Sequence, residues 1–385
     1  METKKYRFDE VTINFDKKRI PLSSAQREKR QGMFRYYGAQ GVIDHVDDYI
    51  FEGTYLLIAE DGENLKSKKQ NIAQVVDGQF WVNNHAHIVQ GNEQCDTRFL
   101  CYLINSMDLS GYITGSAQPK LSQANLNAVT LSLPTLAEQK RIVEYLYMLD
   151  QKIDVNRQIN DNLEQQAKTL YKFWFTDYEP FDGVCPADWI SGTIDDLAKE
   201  VVCGKTPSTK VKEYYGSDVP FITIPDMHGN TYAVTTERYL SNYGAASQPK
   251  KTLPPNSICV SCIGTAGLVI LVASESQTNQ QINSIIPKDE YSPFYIYLLM
   301  QTLSEVINKL GQSGSTIVNL NKAQFGKIKV IIPSITDIKT FDELVSPLFA
   351  LILENQKENI RLSSIRETLL PKLMSGELDV SDLDL

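Results

Sequence analysis

A long internal repeat is the feature that most restricts the fold of this 385-residue chain. Turn and apolar residues recur at a constant separation of 199 residues: Gly115-Ser116, Leu121, Ala124 and Pro134 are matched by Gly314-Ser315, Leu320, Ala323 and Pro333. Solenoid units span only about 20–50 residues, so this separation indicates a duplicated domain. A duplicated domain presents two similar surfaces, which suits a ligand that itself has two parts.

Each copy of the repeat ends in a long stretch with a helical pattern. Residues 135–176 contain no Gly and no Pro, and a second helix is predicted from about residue 337 to 373. In both stretches, apolar or Asn residues recur at alternating steps of four and three, which is the seam of a coiled coil. The seam positions are Ile142, Leu146, Leu149, Ile153, Asn156, Asn160, Leu163, Ala167, Leu170 and Trp174, then Phe341, Val345, Leu348, Ile352, Asn355, Asn359, Leu362, Arg366, Leu369 and Leu373. The alternative is two amphipathic helices that each cover only their own domain.

Two asparagines lie in the middle of each seam: Asn156 and Asn160 in the first helix, Asn355 and Asn359 in the second. A buried amide reduces stability but fixes register, because a slipped helix leaves it without a partner. If the helices run antiparallel, Asn156 approaches Asn359 and Asn160 approaches Asn355. The alternative is that some of these amides are solvated at the edge of the seam.

The repeat and the helices divide the chain into four segments. Residues 1–134 and 179–334 are predicted to be two globular units of mixed α and β structure, with turn signals such as Asp61-Gly62 and Asp77-Gly78 in the first. Residues 135–178 are a central helix, and residues 335–385 are a distal helix followed by a tail.

The composition is that of an ordinary globular protein, with 42% hydrophobic and 22% charged residues. No signal peptide follows Met1, and the most apolar window, residues 258–273, is shorter than the ~20 residues of a membrane span. Buried strands are predicted there instead. The cysteines are scattered apart from the pair Cys259 and Cys262, which fits a reducing cytoplasm.

The net charge of −9 does not itself indicate nucleic-acid binding, but the acidic residues are unevenly distributed. Residues 335–385 contain 10 acids and 5 bases, whereas residues 1–134 contain 16 acids and 15 bases. The globular parts are therefore close to balanced, and local basic clusters can attract phosphate in spite of the total.

Motifs of catalysis and metal binding are missing or incomplete. The chain has no G-x-G-x-x-G after a strand and no G-x-S-x-G, and Gly204-Lys205-Thr206 lacks the earlier glycine of a P-loop, which is Lys199 here. His85 and His87 place two imidazoles on one face of a predicted strand. Without Cys, Asp or Glu at ligand spacing, polar contacts are favoured there over a metal.

Candidate DNA contacts form polar clusters in both units, because Asn and Gln pair with adenine, and Arg and Lys with guanine or phosphate. The first unit offers Arg27, Lys29, Arg30, Arg35, Tyr36, Tyr37, Asn83, Asn84, His85 and His87. The second offers Lys205, Thr206, Ser208, Thr209, Lys210, Lys212, Gln280, Gln281 and Asn283. Each cluster alone is also compatible with a solvated surface, but their recurrence in both halves favours DNA binding.

Several segments resemble the specificity subunits of type I restriction-modification systems. Residues 133–143 (Leu-Pro-Thr-Leu-Ala-Glu-Gln-Lys-Arg-Ile-Val), 149–153 and 162–167 resemble the central conserved helix of that family, and residues 370–378 resemble its C-terminal signature. Residues 36–41 and 204–208 resemble two types of target-recognition domain. The distal helix departs from the family at residues 335–339, where the Ala-Glu-Gln-Lys-Arg motif is absent.

This resemblance implies an α+β fold, with two α/β target-recognition domains in a pseudo-two-fold tandem repeat and two long helices that form an antiparallel coiled coil. It implies a non-catalytic subunit in which each domain reads one half of a split, asymmetric target, while the coil sets the spacer and docks modification subunits. The expected partners are double-stranded DNA, two modification (methyltransferase) subunits and the restriction (translocase and nuclease) subunits, with no membrane. No cofactor or metal is expected in this chain, and S-adenosylmethionine is expected in the modification subunits.

Two other classes of protein stay open from the residues alone. A stand-alone methyltransferase requires an Asn/Asp-Pro-Pro-aromatic tetrad for a flipped base, and the Pro254-Pro255 pair lies in the wrong setting for it. The other class is a coiled-coil scaffold that does not bind DNA.

Overall fold

The computed structural model describes residues 2–67, 70–115, 118–312 and 319–378. Contacts divide the chain into two compact units, residues 1–151 with 362–385 and residues 152–361. This division crosses both long helices, so each unit holds a globular part and a piece of each helix. Three repeat members and the end of the predicted tail lie outside the described residues: Ser116, Gly314, Ser315 and residues 379–385.

The globular part of the first unit is a mixture of strands and short helices. Its strands are β1 (Lys4–Arg7), β2 (Thr12–Asn14), β3 (Gln31–Gly38), β4 (Gly41–Val46), β5 (Phe51–Ala59), β6 (Ala73–Val82), β7 (Ala86–Gly91) and β8 (Thr130–Leu133). Its helices are α1 (Ser24–Glu28), α2 (Asn64–Ser67), α3 (Thr97–Ser106) and α4 (Gln123–Asn127). The first long helix, α5 (Leu136–Phe175), follows and continues into the second unit.

One six-stranded sheet organises the first unit, in the order β2-β7-β5-β6-β3-β4, and β1 pairs separately with β8. Helix α3 contacts β5, β6 and β7. Its buried residues are Phe99, Leu100, Leu103 and Ile104, the spacing that places an apolar stripe on one side of a helix. The same core contains Ile142, Val143 and Leu146 of α5 and Leu373 near the end of the chain.

The second unit repeats this plan with a different sheet. Its strands are β9 (Ile190–Thr193), β10 (Ala198–Cys203), β11 (Tyr215–Ile222), β12 (Tyr232–Ala233), β13 (Tyr239–Leu240), β14 (Ile258–Ser261), β15 (Val269–Val272), β16 (Gln277–Thr278), β17 (Ile282–Pro287) and β18 (Lys329–Ile332). Its helices are α6 (Ile194–Leu197), α7 (Asn242–Ala246), α8 (Pro293–Thr302), α9 (Ser304–Gln312) and α10 (Lys322–Gly326), followed by the second long helix, α11 (Ile335–Ser375).

Three sheets form the second unit, in the orders β10-β17-β14-β15-β12, β13-β11-β16 and β18-β9. The apolar window predicted as buried strands is β14 and β15, which are buried throughout. The largest core combines Ala167, Tyr171 and Phe175 of α5 with the α11 residues Ile338, Phe341, Val345, Phe349 and Ile352. Both long helices therefore supply the cores of the globular parts.

The repeat is visible in the element boundaries. Helix α4, strand β8 and helix α5 begin 199 residues before α10, β18 and α11, respectively. The two long helices agree with the predicted ranges within three residues. Helix α11 continues through Pro347 and Pro371, although each proline removes one intrahelical hydrogen bond. Burial of Val345 and Phe349 on either side of Pro347 offsets that loss.

Candidate nucleic-acid interface

Two loops of the second unit lie side by side and bring together candidates that are more than 70 residues apart in the chain. The Thr206 hydroxyl donates to the Gln280 side-chain oxygen at 2.7 Å, and the Lys205 amide donates to the Thr278 carbonyl at 2.9 Å. Gly204 permits this approach, because a Cβ there would lie 2.1 Å from the carbonyl oxygen of Asn279. No side chain fits at that distance.

Most candidates on these loops are accessible. Lys205, Ser208, Thr209, Lys210, Lys212 and Gln280 are exposed, and Thr206 and Gln281 are half-buried. Among the described residues, no carboxylate lies within ion-pair distance of the three lysine ammonium groups. These positive charges therefore stay available for phosphate.

The structure corrects the assignment of Asn283 to the DNA contacts, because this side chain is buried in the protein. Its side-chain nitrogen donates to the Leu320 carbonyl at 3.1 Å, which fastens the start of the α10 segment to β17. A polar residue in the interior of a sheet is more often bonded within the protein than exposed for recognition.

A third segment joins the same surface and was missed from the sequence. The Gln248 side chain donates to the Lys205 carbonyl and to the Gln277 side-chain oxygen, both at 2.8 Å. Lys251 donates to the Cys203 carbonyl at 2.7 Å, and Lys250 beside it is exposed. The only sequence signal was the run Gln-Pro-Lys-Lys at residues 248–251, which ends 29 residues before the nearest predicted candidate, Gln280.

In the first unit the predicted cations are partly neutralised by acids of β4 and the loop after it. Arg27 donates to the Asp44 carboxylate at 2.8 Å, and Arg30 donates to Asp47 at 2.9 Å. Arg35 is exposed but donates to the Asp77 carbonyl at 2.8 Å. Lys29 is also exposed. The first unit therefore offers less free positive charge than the second.

The structure also corrects the assignment of Tyr36 and Tyr37 to the DNA contacts, since both rings are buried. The Tyr36 hydroxyl accepts the Leu22 amide at 2.8 Å, and Arg27 lies over its ring at 5.2 Å. Tyr37 packs edge-on against Phe80 at 5.7 Å. Tyr36 packs with Val46 and Trp81, whereas Tyr37 packs with Phe80 in a separate cluster, so both sides of β3 are covered here. The aromatic residues of this run therefore serve packing and not base contact.

His87 and Asn83 are buried as well, which contradicts their assignment to a DNA contact. The Nδ1–H of His87 donates to Asp16 at 2.7 Å, and its Nε2–H donates to the Leu121 carbonyl at 2.8 Å. Because both partners only accept, the ring carries two protons. Burial alone would lower the pKa of His87, but these hydrogen bonds and the charges of Asp16 and Glu60 raise it on balance.

His85 does not share a strand face with His87, since it lies in the turn before β7. It is exposed and its Nδ1 lies 2.8 Å from the Asp61 carboxylate. Its amide donates to the side-chain oxygen of Asn83, which explains the burial of that residue. Asn84 and His85 are accessible candidates of this loop.

The Cys259 and Cys262 thiols have no accessible chemistry. Burial raises the pKa of Cys259 to about 12 and that of Cys262 to about 11. At neutral pH both are protonated, and a protonated thiol is a poor nucleophile and a poor metal ligand. Among the described residues, no group of three or more His, Cys, Asp or Glu side chains is placed to hold a metal ion.

The mid-seam asparagines pair across the two long helices within the second unit. Asn156 donates to the Asn359 side-chain oxygen at 2.9 Å and to Glu358 at 2.7 Å. Asn355 donates to the side-chain oxygen of Asn160 at 2.9 Å. As residue number rises in one helix it falls in the other, so these segments run antiparallel. Their role in fixing register stays a prediction.

Each unit also fastens its globular part to its piece of α5 through a carboxylate. In the first unit, Asp150 accepts the Tyr102 hydroxyl and the Arg366 guanidinium, both at 2.5 Å. In the second, Glu164 accepts the Gln301 amide at 3.0 Å and the Thr231 hydroxyl at 3.1 Å. Every seam position is buried or half-buried. The ends of the seam pack on the cores of the globular parts, and the asparagines in its middle bond to the other long helix.

Comparison with known proteins identifies the class. The family model of the type I restriction modification DNA specificity domain matches residues 2–165 and 186–362. The specificity subunit of the type I restriction enzyme HindI from Haemophilus influenzae is 33% identical, over 85% of this chain and 84% of that protein. The MjaIX specificity subunit from Methanocaldococcus jannaschii is 26% identical, over 74% and 70%. A crystal structure of a type I S subunit from M. genitalium has a TM-score of 0.63 at 14% identity, and covers 97% of this chain and 96% of that one.

The chain belongs to the family of type I restriction-modification DNA specificity subunits. The two matched segments are a tandem pair of specificity domains, which confirms the predicted α+β fold with two long helices. DNA recognition without a catalytic role follows from this membership, and a scaffold that does not bind DNA is not favoured. No helix in the described part of the chain is long and apolar enough to cross a membrane.

Proposed function

We propose that each unit reads one half of a split, asymmetric DNA target. The observation that carries this proposal is the surface on which Thr206 bonds to Gln280 and on which Lys205, Lys210 and Lys212 are exposed without an ion pair to any described residue. Ammonium groups suit phosphate, and glutamine amides suit the major-groove edge of adenine. The first unit offers a different accessible set, namely Lys29, Arg35, Asn84 and His85. Different side chains in the two units support two different half-sites.

The long helices set the distance between the two half-sites in this proposal. The asparagine pairs fix one alignment of the helices, because a one-turn slip leaves the amides without partners. Asp150 and Glu164 fasten the globular parts to α5, so a change in helix length is transmitted to the recognition surfaces.

The same helices dock the partner subunits. In the second unit, apolar side chains outside the seam are exposed on both helices: Val155 48%, Ile159 39%, Leu344 47% and Leu351 47%. Apolar residues in solvent at helical spacing suit a further helix. Two modification subunits are proposed there, which hold S-adenosylmethionine and methylate adenine, and restriction subunits complete a complex in the cytoplasm of a prokaryote.

The salt dependence of DNA binding tests the surface of the second unit. The triple variant Lys205→Ala, Lys210→Ala, Lys212→Ala should bind a fluorescein-labelled random-sequence duplex more weakly. The slope of log affinity against log salt should become shallower by ~0.9 for each phosphate contact that is lost. Fluorescence anisotropy of the full chain over a range of salt concentrations measures both quantities.

The control removes the same charge elsewhere in the second unit. Lys327→Ala, Lys329→Ala, Lys339→Ala changes exposed lysines of β18, of the turn before it and of the start of α11. This control should leave the slope close to that of the unchanged chain. An unaltered slope in the first variant, or equal changes in both, would show that the three loop lysines do not contact DNA.

A further inference from the structure

A tyrosine that belongs to none of the predicted clusters lies exposed next to the segment that carries Lys212. Tyr243, on helix α7, is 65% exposed, the most exposed aromatic side chain among the described residues. Its ring lies 5.4 Å from that of Tyr214, which follows Lys212 by two residues. The ring is therefore accessible to a ligand that binds this surface.

Helix α7 is fastened at its N-terminal end to the segment that carries Lys212 and Tyr214. The Ser241 amide donates to the Tyr214 carbonyl at 3.0 Å, and the Ser241 hydroxyl donates to the Glu213 carbonyl. Gly244 packs on the same backbone, because a Cβ there would lie 2.0 Å from the carbonyl oxygen of Tyr214. The helix cannot rotate away from this segment without losing these contacts.

The other end of α7 is fastened to the strand that leads to the glutamines. The Gln277 side chain donates to the Ala245 carbonyl at 3.0 Å, and Gln277 begins the β16 segment that continues to Gln280. Tyr243 is therefore part of the same rigid surface as Lys205, Lys212 and Gln280. The contact with the Tyr214 ring restricts the Tyr243 side chain before any ligand binds, which reduces the entropy lost on binding.

We propose that Tyr243 contacts DNA through the face of its ring, packing on a sugar beside the phosphates bound by the lysines, and that Tyr214 holds the ring in position. This inference rests on the proposed DNA-binding role of the second unit. Rigid tyrosines supply a large contact area at low entropic cost, and aromatic packing on nucleotides tolerates any sequence. The contact adds affinity that does not depend on counterion release.

The ring contact of Tyr243 and the phosphate contacts of the lysines can be distinguished by the salt dependence of DNA binding. Tyr243→Ala should weaken binding of a random-sequence duplex about tenfold at every salt concentration, without a change in the log–log slope. Lys212→Ala should instead make the slope shallower by ~0.9. Tyr243→Phe should bind like the unchanged chain, because the ring and not the hydroxyl makes the contact. Anisotropy titrations of the full-length variants measure all three.

A matched control is Phe173→Ala, which removes an exposed ring from α5 in the same unit and should leave DNA affinity unchanged. The proposal is overturned if Tyr243→Ala binds like the unchanged chain, if it alters the slope as Lys212→Ala does, or if Phe173→Ala weakens binding equally. Loss of affinity in Tyr243→Phe also overturns it. Failure of the unchanged chain to bind duplex, or of the lysine variants to alter the slope, instead contradicts the proposed function.

Discussion

At the scale of single residues, the clearest feature is a buried cation in the first unit. His87 is 1% exposed and donates through both ring nitrogens, to Asp16 and to the Leu121 carbonyl. Asp16 also accepts the Ile88 amide at 2.8 Å and lies 3.5 Å from Arg19. This network joins the start of the chain, strand β7 and the segment that precedes α4, so the charge on His87 has a structural role.

The pH dependence of the first unit should follow from this network. The pKa of His87 is raised in the folded protein. Its contribution to the free energy of unfolding is therefore complete below pH ~6.5 and is lost as the pH rises through the raised pKa. Burial acts to raise the pKa of Asp16, but hydrogen bonds from His87 and the Ile88 amide lower it on balance. The contribution of Asp16 to the free energy of unfolding is therefore complete above pH ~3.9 and is lost as the pH falls through the lowered pKa.

His87→Gln should destabilise the first unit by about 3–5 kcal/mol at pH 6, because Asp16 is left as a buried charge without its main partner. It should also abolish the loss of stability above pH ~6.5 that belongs to His87. Hydrogen exchange of the Ile88 amide reports on this unit. His45→Gln, at an exposed position of β4, is the control and should retain the pH dependence. If His87→Gln still lost stability steeply as the pH rose above ~6.5, the titrating group would be a residue other than His87.

At the scale of elements, the two asparagine pairs are not equivalent. Asn160 and Asn355 bond to each other, and Asn160 also donates to the Ile352 carbonyl at 3.3 Å. Asn156 bonds to Asn359 and Glu358, while its own side-chain oxygen is buried without a hydrogen-bond partner in the described structure. Asn156 and Asn355 thus belong to different pairs, and a clean substitution changes one whole pair.

Asn160→Leu with Asn355→Leu should raise the melting temperature but relax the register, since an apolar seam tolerates slippage. Asn355→Leu alone should instead destabilise by ~0.5–1.5 kcal/mol, because the half-buried Asn160 loses the hydrogen bond to its side-chain oxygen. Relaxed register should appear as binding to more than one spacer length by the assembled complex. A double variant with unaltered stability and a single spacer length would show that this pair does not set register.

Much of this architecture could be predicted because helical periodicity survives without tertiary context. The 4-3 seam, with the absence of Gly and Pro around the first of them, predicted both long helices within three residues, and the 199-residue offset predicted the duplicated ends of the domains. Sheet structure was harder. The turn predicted at Asp77-Gly78 lies inside β6, where Gly78 has a φ of +88° and pairs with Gly53, which has a φ of +117°. Local turn chemistry cannot distinguish an irregular strand position from a chain reversal.

The candidate site was only partly predictable, because exposure depends on which face of a strand meets the core. Tyr36, Tyr37 and His87 have the chemistry of a binding residue, but their sheet positions direct them inward. Tyr243 and the buried Gln248 are placed next to the candidate segments only through long-range contacts with Tyr214 and Lys205. No pattern local to the sequence contains that information.

At the scale of the whole molecule, a matched deletion tests whether the helices act as a spacer. The pairs Asn156–Asn359 and Asn160–Asn355 place residues 149–155 opposite residues 360–366. Deleting both segments removes one heptad from each helix and preserves the asparagine pairs. It also removes Asp150 and Arg366, so the first unit loses the hydrogen bond from Tyr102 to α5 and should be less stable. The spacer should shorten by about three base pairs, because seven residues rise ~10 Å and base pairs repeat every ~3.4 Å.

Mapping methylated adenines in cells that express the deleted chain measures the spacer and both half-sites together. The half-sites should be unchanged, since the recognition surfaces are intact. Deleting residues 149–155 alone is the control, and it should destabilise the chain by moving Asn156 away from Asn359. An unchanged spacer length after the matched deletion, in a chain that still folds, would contradict the proposal that the helices set the distance between the half-sites.

The division of the chain into units also has a consequence for its synthesis. The core of the first unit needs Leu373, with Leu369 and Leu370 packed against it, whereas the second unit is one continuous segment, residues 152–361. Domains fold as their residues leave the ribosome, at about 5–20 residues per second. The N-terminal unit is therefore the first to be translated and the last to be completed. A nascent chain that stops before α11 ends carries an unfinished apolar core at its oldest part, where chaperones and proteases can act on it.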